Sequence, residues 1–167
     1  FSDYDPMKKV KQGQLYMEQG KKEEAFEMLE KAVFSEYTTL NIAFGIMITK
    51  ALEGKDHGYA RFLAEKMCTL ASGFDMGKYN ECAAMLNVVT AENNVEGTFL
   101  VAKQLLNNVD TICDFQKSQL YKHMKFREVE NPYTEEMKKE LLEGFRNAEE
   151  FAYMKEYEPW EKLLSGN

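Results

Sequence analysis

Gly13-Gln-Leu-Tyr16-Met-Glu-Gln-Gly20-Lys-Lys-Glu-Glu-Ala25-Phe-Glu-Met-Leu29-Glu-Lys-Ala32 decides how this chain folds, because its small and large residues alternate as two crossing helices require. A small residue, Gly13, marks the point where a second helix can come close, and an aromatic one turn later, Tyr16, fills the gap beside it. Gly20 suits the end of the first helix, where a left-handed residue without a Cβ is least costly. The second helix then presents Ala25, Leu29 and Ala32 on one face at helical spacing.

The pattern recurs. Ala60, Ala64 and Met67 repeat the offsets of Ala25, Leu29 and Ala32, and Phe44, Met47, Ile48 and Ala51 form the i, i+3, i+4, i+7 stripe of a partner helix before them. A third pass places Cys82, Met85, Leu86 and Val89 on one helix and Thr98, Ala102 and Leu105 on the next. Thr98 is larger than the small residue preferred there, and Asn93-Asn94 stands in for the missing turn glycine by a left-handed or capping conformation. Lys9 and Gln12 occupy positions that are apolar in such units, so the opening turns of the first helix are expected to be solvated or to meet something outside this chain.

These spacings resemble the tetratricopeptide (TPR) repeat. The resemblance implies an all-α, right-handed superhelix of about three helix pairs over residues 1–114, with a helical C-terminal cap over 115–167 packed on the repeats. It also implies a concave groove lined by the first helix of each unit. In this register the inward positions include Val10, Gln14 and Met17, then Gly45 and Thr49, then Asn80, Asn87 and Thr90. Gln14, Thr49, Asn80, Asn87 and Thr90 are the candidate ligand residues: the set is neutral and polar, and side-chain amides hydrogen-bond a peptide backbone in both directions. The basic set with which TPR domains grip a carboxylate terminus is missing, which disfavours a chaperone clamp.

After Asp114 the repeat spacing stops. Asn131-Pro132 reads as a helix start, and Met137, Leu141, Leu142 and Phe145 share the face of the helix that follows, with Gly144 placed to help end it. Asn147 and Glu150 have capping-box spacing for one more helix, and Phe151, Met154 and Trp160 are expected to fold back, with Pro159 interrupting just before the tryptophan. The runs Leu120-Tyr121-x-His123-Met124-x-Phe126, Phe151-Ala-Tyr-Met154 and Pro159-Trp160-x-x-Leu163 resemble the C-terminal end of TPR-containing helix-turn-helix regulators of the Xre type from Gram-positive bacteria. That resemblance implies a DNA-binding domain of about sixty to seventy residues followed by a helical sensor region. The departure is that no helix-turn-helix occurs here: the chain opens on Phe1, as a processed chain or a fragment would, and residues 1–5 are too few to hold one.

Composition narrows the function classes. The 167 residues carry a net charge of −7, and eleven acidic against six basic residues follow from Arg127 onward, a surface that repels phosphate backbones. No run approaches the roughly 20 apolar residues that cross a bilayer, so a soluble, cytoplasmic protein is expected. Cys68, Cys82 and Cys113 are odd in number and lie in apolar patterns, which reads as reduced packing cysteine; without a C-x2-C pair, no metal site and no cofactor are expected. No G-x-S-x-G elbow, P-loop, H-E-x-x-H pair or dinucleotide fingerprint is present. His57 reads as an exposed loop residue and His123 as one buried against the C-terminal helices. Glu23-Glu24, Glu135-Glu136 and Glu149-Glu150 sit at helix starts, where carboxylates favour the dipole.

The sequence therefore predicts a non-enzymatic module that binds a peptide or protein. Its most specific form is the sensor part of a cytoplasmic transcription regulator without its DNA-binding domain, which would bind no nucleic acid and no membrane. A free-standing TPR scaffold or adaptor unrelated to DNA is the alternative, and a homodimer is compatible with either.

Overall fold

The computed structural model describes residues 5–127 and 133–166. The fold is all-helical, and among the described residues there is no strand. No helix among them is long and apolar enough to cross a membrane. Helix α1 (Pro6–Glu18) begins where the Asp5 carboxylate accepts from the Met7 amide at 3.0 Å and proline occupies the first turn. It ends on Gly20, whose φ of +74° is the left-handed stop foreseen from the sequence.

Helix α2 (Lys22–Glu53) runs unbroken for 32 residues, about 48 Å at the usual helical rise. The repeat register divides this stretch between two helices. The reason for the difference is local: Ser35-Glu-Tyr-Thr-Thr-Leu-Asn41 contains neither glycine nor proline, so no residue there supplies a turn. Helix α1 lies on the first half of α2, where a Cβ built on Gly13 would stand 2.9 Å from Leu29 Cγ and Cδ2 and would force that side chain to shift. Lys9, expected in solvent, reaches the Ser35 hydroxyl of α2 at 3.0 Å.

Helix α3 (His57–Gly73) turns back along the second half of α2. Ala60 and Ala64 are fully buried there with Ile48, Leu63 and Val88. The Asp56 side chain caps α3 by accepting from the Tyr59 amide at 3.0 Å. His57 is half-buried in the first turn of this helix rather than exposed in a loop. The expected first helix of the third pair is split into α4 (Lys78–Ala83) and α5 (Met85–Ala91). Ala84 between them keeps φ −63° and ψ −23°, so the break is a 3₁₀-like tightening and the chain direction persists. Asn93 is left-handed at φ +50° and Asn94 caps α6 (Val95–Asn107) by accepting from the Gly97 amide at 2.8 Å. Ala102 and Thr98 are fully buried on α6. The large residue at that position has a local reason, since the Thr98 and Tyr153 hydroxyls lie 2.5 Å apart.

Beyond α6 the chain takes three short 3₁₀ turns between Val109 and Tyr121 and returns to α2 and α3. Tyr121 is buried and donates its hydroxyl to the Phe74 carbonyl at 2.9 Å, while Phe34 and Phe115 pack edge-on against it and Phe126 edge-on against Phe115. One carboxylate fixes the docking. Glu30 of α2, 8% exposed, accepts from the His123 amide at 2.8 Å and the Met124 amide at 3.1 Å, and its other oxygen stands 2.6 Å from His123 Nδ1. The His123 ring also stacks on Phe26 at 4.9 Å. His123 is thus half-buried against α2 and not buried against the C-terminal helices.

The Asn131-Pro132 start lies outside the described residues. Helix α7 (Tyr133–Asn147), a 3₁₀ stretch (Glu149–Met154) and α8 (Glu158–Ser165) pack on α5 and α6. Trp160 is buried 5.5 Å from Phe145 and 5.7 Å from Phe151, centroid to centroid. Three local expectations change here. Helix α7 continues past Gly144, the capping residue after it is Ala148 with no side-chain bond in place of an Asn147 box, and Pro159 opens α8 instead of interrupting it. Cys68 and Cys82 are half-buried as expected of packing residues, whereas Cys113 is exposed.

Candidate binding cleft

The C-terminal turns of α2 and the outer face of α5 leave a cleft of about 510 Å³ between them, lined by Thr49, Leu52 and Glu53 from α2, Asn87, Thr90 and Ala91 from α5, and Asn93 and Glu150 beyond. It exists because α3 packs beneath both helices and holds them apart. Ile48 and Val88 point down into that shared core, which turns Thr49 and Asn87 upward. The two threonine hydroxyls donate to their own helices, Thr49 to the Gly45 carbonyl at 2.9 Å and Thr90 to the Leu86 carbonyl at 2.8 Å. Each oxygen is left able to accept from a ligand. Asn87 is exposed, and its amide carries no hydrogen bond among the described residues.

Two further hollows continue the cleft. On the α2 side Ile42, Gly45, Ile46 and Lys50 join Thr49 and Glu53 around about 340 Å³. On the other side, Tyr79 and Leu86 face Met137, Leu141, Gly144, Phe145 and Phe151 around about 330 Å³, with Glu140 and Glu150 at the same wall. Shared residues make them one trough: Thr49 and Glu53 connect the first hollow to the cleft, and Glu150 connects the cleft to the last. Its carboxylates are Glu53, Glu140 and Glu150, against one ammonium, Lys50, which bonds Glu53 at 2.7 Å. The trough can therefore accept amide hydrogens and pack apolar side chains, and it favours cationic groups.

Three of the five predicted ligand residues, Thr49, Asn87 and Thr90, meet in the cleft. The other two lie elsewhere. Gln14 is exposed on α1, away from these walls. Asn80 spends its amide within the fold, donating to the Met76 carbonyl at 2.7 Å and the Ile112 carbonyl at 3.2 Å, and so ties α4 to the turn after α6. Its spacing of seven from Asn87 does not bring the two amides to one cleft. Glu53 and Glu150 were not foreseen, because the register treats the end of a first helix and the start of a cap as solvent-facing. A signal for the far hollow was present: a glycine three residues after Leu141 in a strongly patterned helix.

The other notable hollow, about 310 Å³ beside Gly77, is lined by charges that satisfy one another, with Lys78 bonding Glu81 at 2.7 Å, Lys117 bonding Asp114 at 2.9 Å and Ser118 bonding Asp75 at 2.7 Å. Among the described residues no three His, Cys, Asp or Glu side chains converge as a cation site. Burial pushes the Cys82 thiol up to about 11 and raises that of Cys68, so both stay protonated near neutrality. No family model matches this chain, and no curated protein or solved structure does either.

Proposed function

We propose that the chain is a non-enzymatic interaction module that holds an extended peptide along the trough between α2, α5 and α7. The observation that carries this reading is the meeting of Thr49, Asn87 and Thr90, whose remaining hydrogen-bonding capacity faces open space, between two apolar hollows. Such a site recognises main chain by hydrogen bonds and side chains by packing. The reading extends to the TPR-like architecture and, at its most specific, to the peptide-sensing part of a cytoplasmic transcription regulator whose DNA-reading part is not in this chain. What supports that extension is the pairing of successive helices around small residues and the acidic surface, which makes this chain itself a poor partner for nucleic acid.

A displayed library of random ten-residue peptides, selected on the whole chain, tests the binding reading. Enriched peptides should lose several-fold in affinity to the Asn87→Ala/Thr90→Ala variant, which should melt like the parent. A library that yields no binder, or binders indifferent to this double substitution, would remove the cleft as the site.

A further inference from the structure

The α7 end of the trough contains a residue that packing does not explain. Gly144 lies inside α7 with a backbone in the ordinary helical range, and a Cβ built on it would meet no heavy atom within 4 Å. Glycine weakens a helix interior, a cost that at Gly13 is matched by the close approach of Leu29. No such need exists at Gly144. What its missing side chain leaves is room in the hollow beside Leu86, Leu141 and Phe145. Gly45, in the middle of α2, has the same character at the opposite end of the trough. A helix glycine facing an empty hollow lets the main chain of another molecule approach where a side chain would stand in its way.

We propose that this hollow seats one large apolar side chain of a cationic peptide, with Lys or Arg residues flanking that side chain and meeting Glu140 and Glu150. The inference rests on the peptide-binding reading above and adds the chemistry of the occupant. The volume, about 330 Å³, has room for a phenylalanine or leucine side chain. Its walls are the Tyr79, Leu86, Leu141 and Phe145 side chains, and the two exposed carboxylates stand beside them with no Lys or Arg among the lining residues. An acidic peptide would set like charges against Glu140 and Glu150; a basic one complements them. The apolar contact supplies affinity, and the carboxylates select sign.

The selected ten-residue peptides provide the test, read for composition and then rebound to two variants of the whole chain. Gly144→Leu fills the hollow from within, and Glu140→Gln/Glu150→Gln removes the charge without changing shape. The expected result is enrichment of a large apolar residue next to Lys or Arg, with binding weakened at least about tenfold by Gly144→Leu, the loss expected when one buried apolar side chain is displaced. The Gln pair should abolish the preference for basic neighbours and flatten the salt dependence of binding. Should Gly144→Leu lower the melting temperature, the Gln pair decides alone. Peptides that lack the apolar-basic pattern, or that bind both variants like the parent while still depending on Asn87 and Thr90, overturn this inference and leave the cleft reading standing. A library without binders overturns both.

Discussion

Replacing Glu30 by alanine should loosen the segment around His123 from α2 and lower the stability of the fold. The carboxylate accepts from the half-buried amides of His123 and Met124 at 2.8 and 3.1 Å and faces His123 Nδ1 at 2.6 Å. The Met124 amide also donates to the Tyr121 carbonyl at 3.0 Å, so only the His123 amide is orphaned, at about 1–3 kcal/mol. The upper part of that range is not reachable, because the segment around His123 can leave α2 and hydrate its amides in water. A loss of about 1–2 kcal/mol follows, or roughly 2–8 °C in melting temperature for a chain of this size. Glu30→Gln retains one acceptor oxygen and should lose about half as much, while His123→Ala keeps both amide bonds and should lose about 1 kcal/mol. Thermal melts followed by circular dichroism read all three. Trp160 is the internal control, since it sits in the α6–α8 cluster and its native emission should not move in any of them. A Glu30→Ala protein that melts within about 0.5 kcal/mol of the parent would refute the assignment of this carboxylate as the clasp between α2 and the segment it docks.

Ala60→Leu should destabilise by about 1–3 kcal/mol through overpacking of the α2–α3 crossing, and a neutral effect in urea denaturation would contradict the close approach there. Asn80→Ala should lower stability by about 1 kcal/mol through the bonds it loses to Met76 and Ile112 while leaving peptide affinity unchanged, the reverse of Asn87→Ala. Burial pushes the Tyr121 hydroxyl from 10.0 up to about 12, which favours the neutral form in the fold. Above pH 10 the unfolded chain releases this proton and the folded chain does not, so this part of the stability is complete below pH 10 and is lost as pH rises toward 12. Tyr121→Phe should flatten the fall in denaturation midpoint across that window. Gel-shift titration of this chain with duplex DNA at physiological salt should show no complex; a sequence-specific shift would require a reading element that the acidic surface gives no sign of.

The small-residue positions were legible in the sequence because a close helix crossing favours small side chains: Ala25, Ala60 and Ala102 are all fully buried, with Thr98 as the larger exception. The turns at Gly20 and Asn93-Asn94 were legible for the same kind of reason, a backbone conformation few residues tolerate. The continuity of α2 was not, since a periodic apolar stripe looks the same whether or not the chain turns within it. Met47 belongs to that stripe yet stays 40% exposed. Contacts across long separations left no local trace either. Glu30 and His123 are 93 residues apart, and neither environment signals the other. In the cleft, Thr49, Asn87 and Thr90 followed from helical register, whereas Asn80 was lost to a hydrogen-bonding demand created by the turn near Ile112, which no window around Asn80 contains.

A stack of separate helix pairs melts piecemeal, because each unit touches only its neighbours across an interface that can part. Helix α2 removes that option. Its first half is the floor for α1 and the His123 segment, and its second half is the floor for α3, so one hydrogen-bonded rod belongs to both ends of the fold at once. Unwinding at either end propagates along shared backbone instead of stopping at a loop. Cutting the chain between residues 35 and 41 would not liberate two smaller folded bodies; it would deprive both of the same element. The chain from α1 to α3 should accordingly exchange its amide hydrogens as a single cooperative unit, with one protection plateau where a modular array would show a staircase.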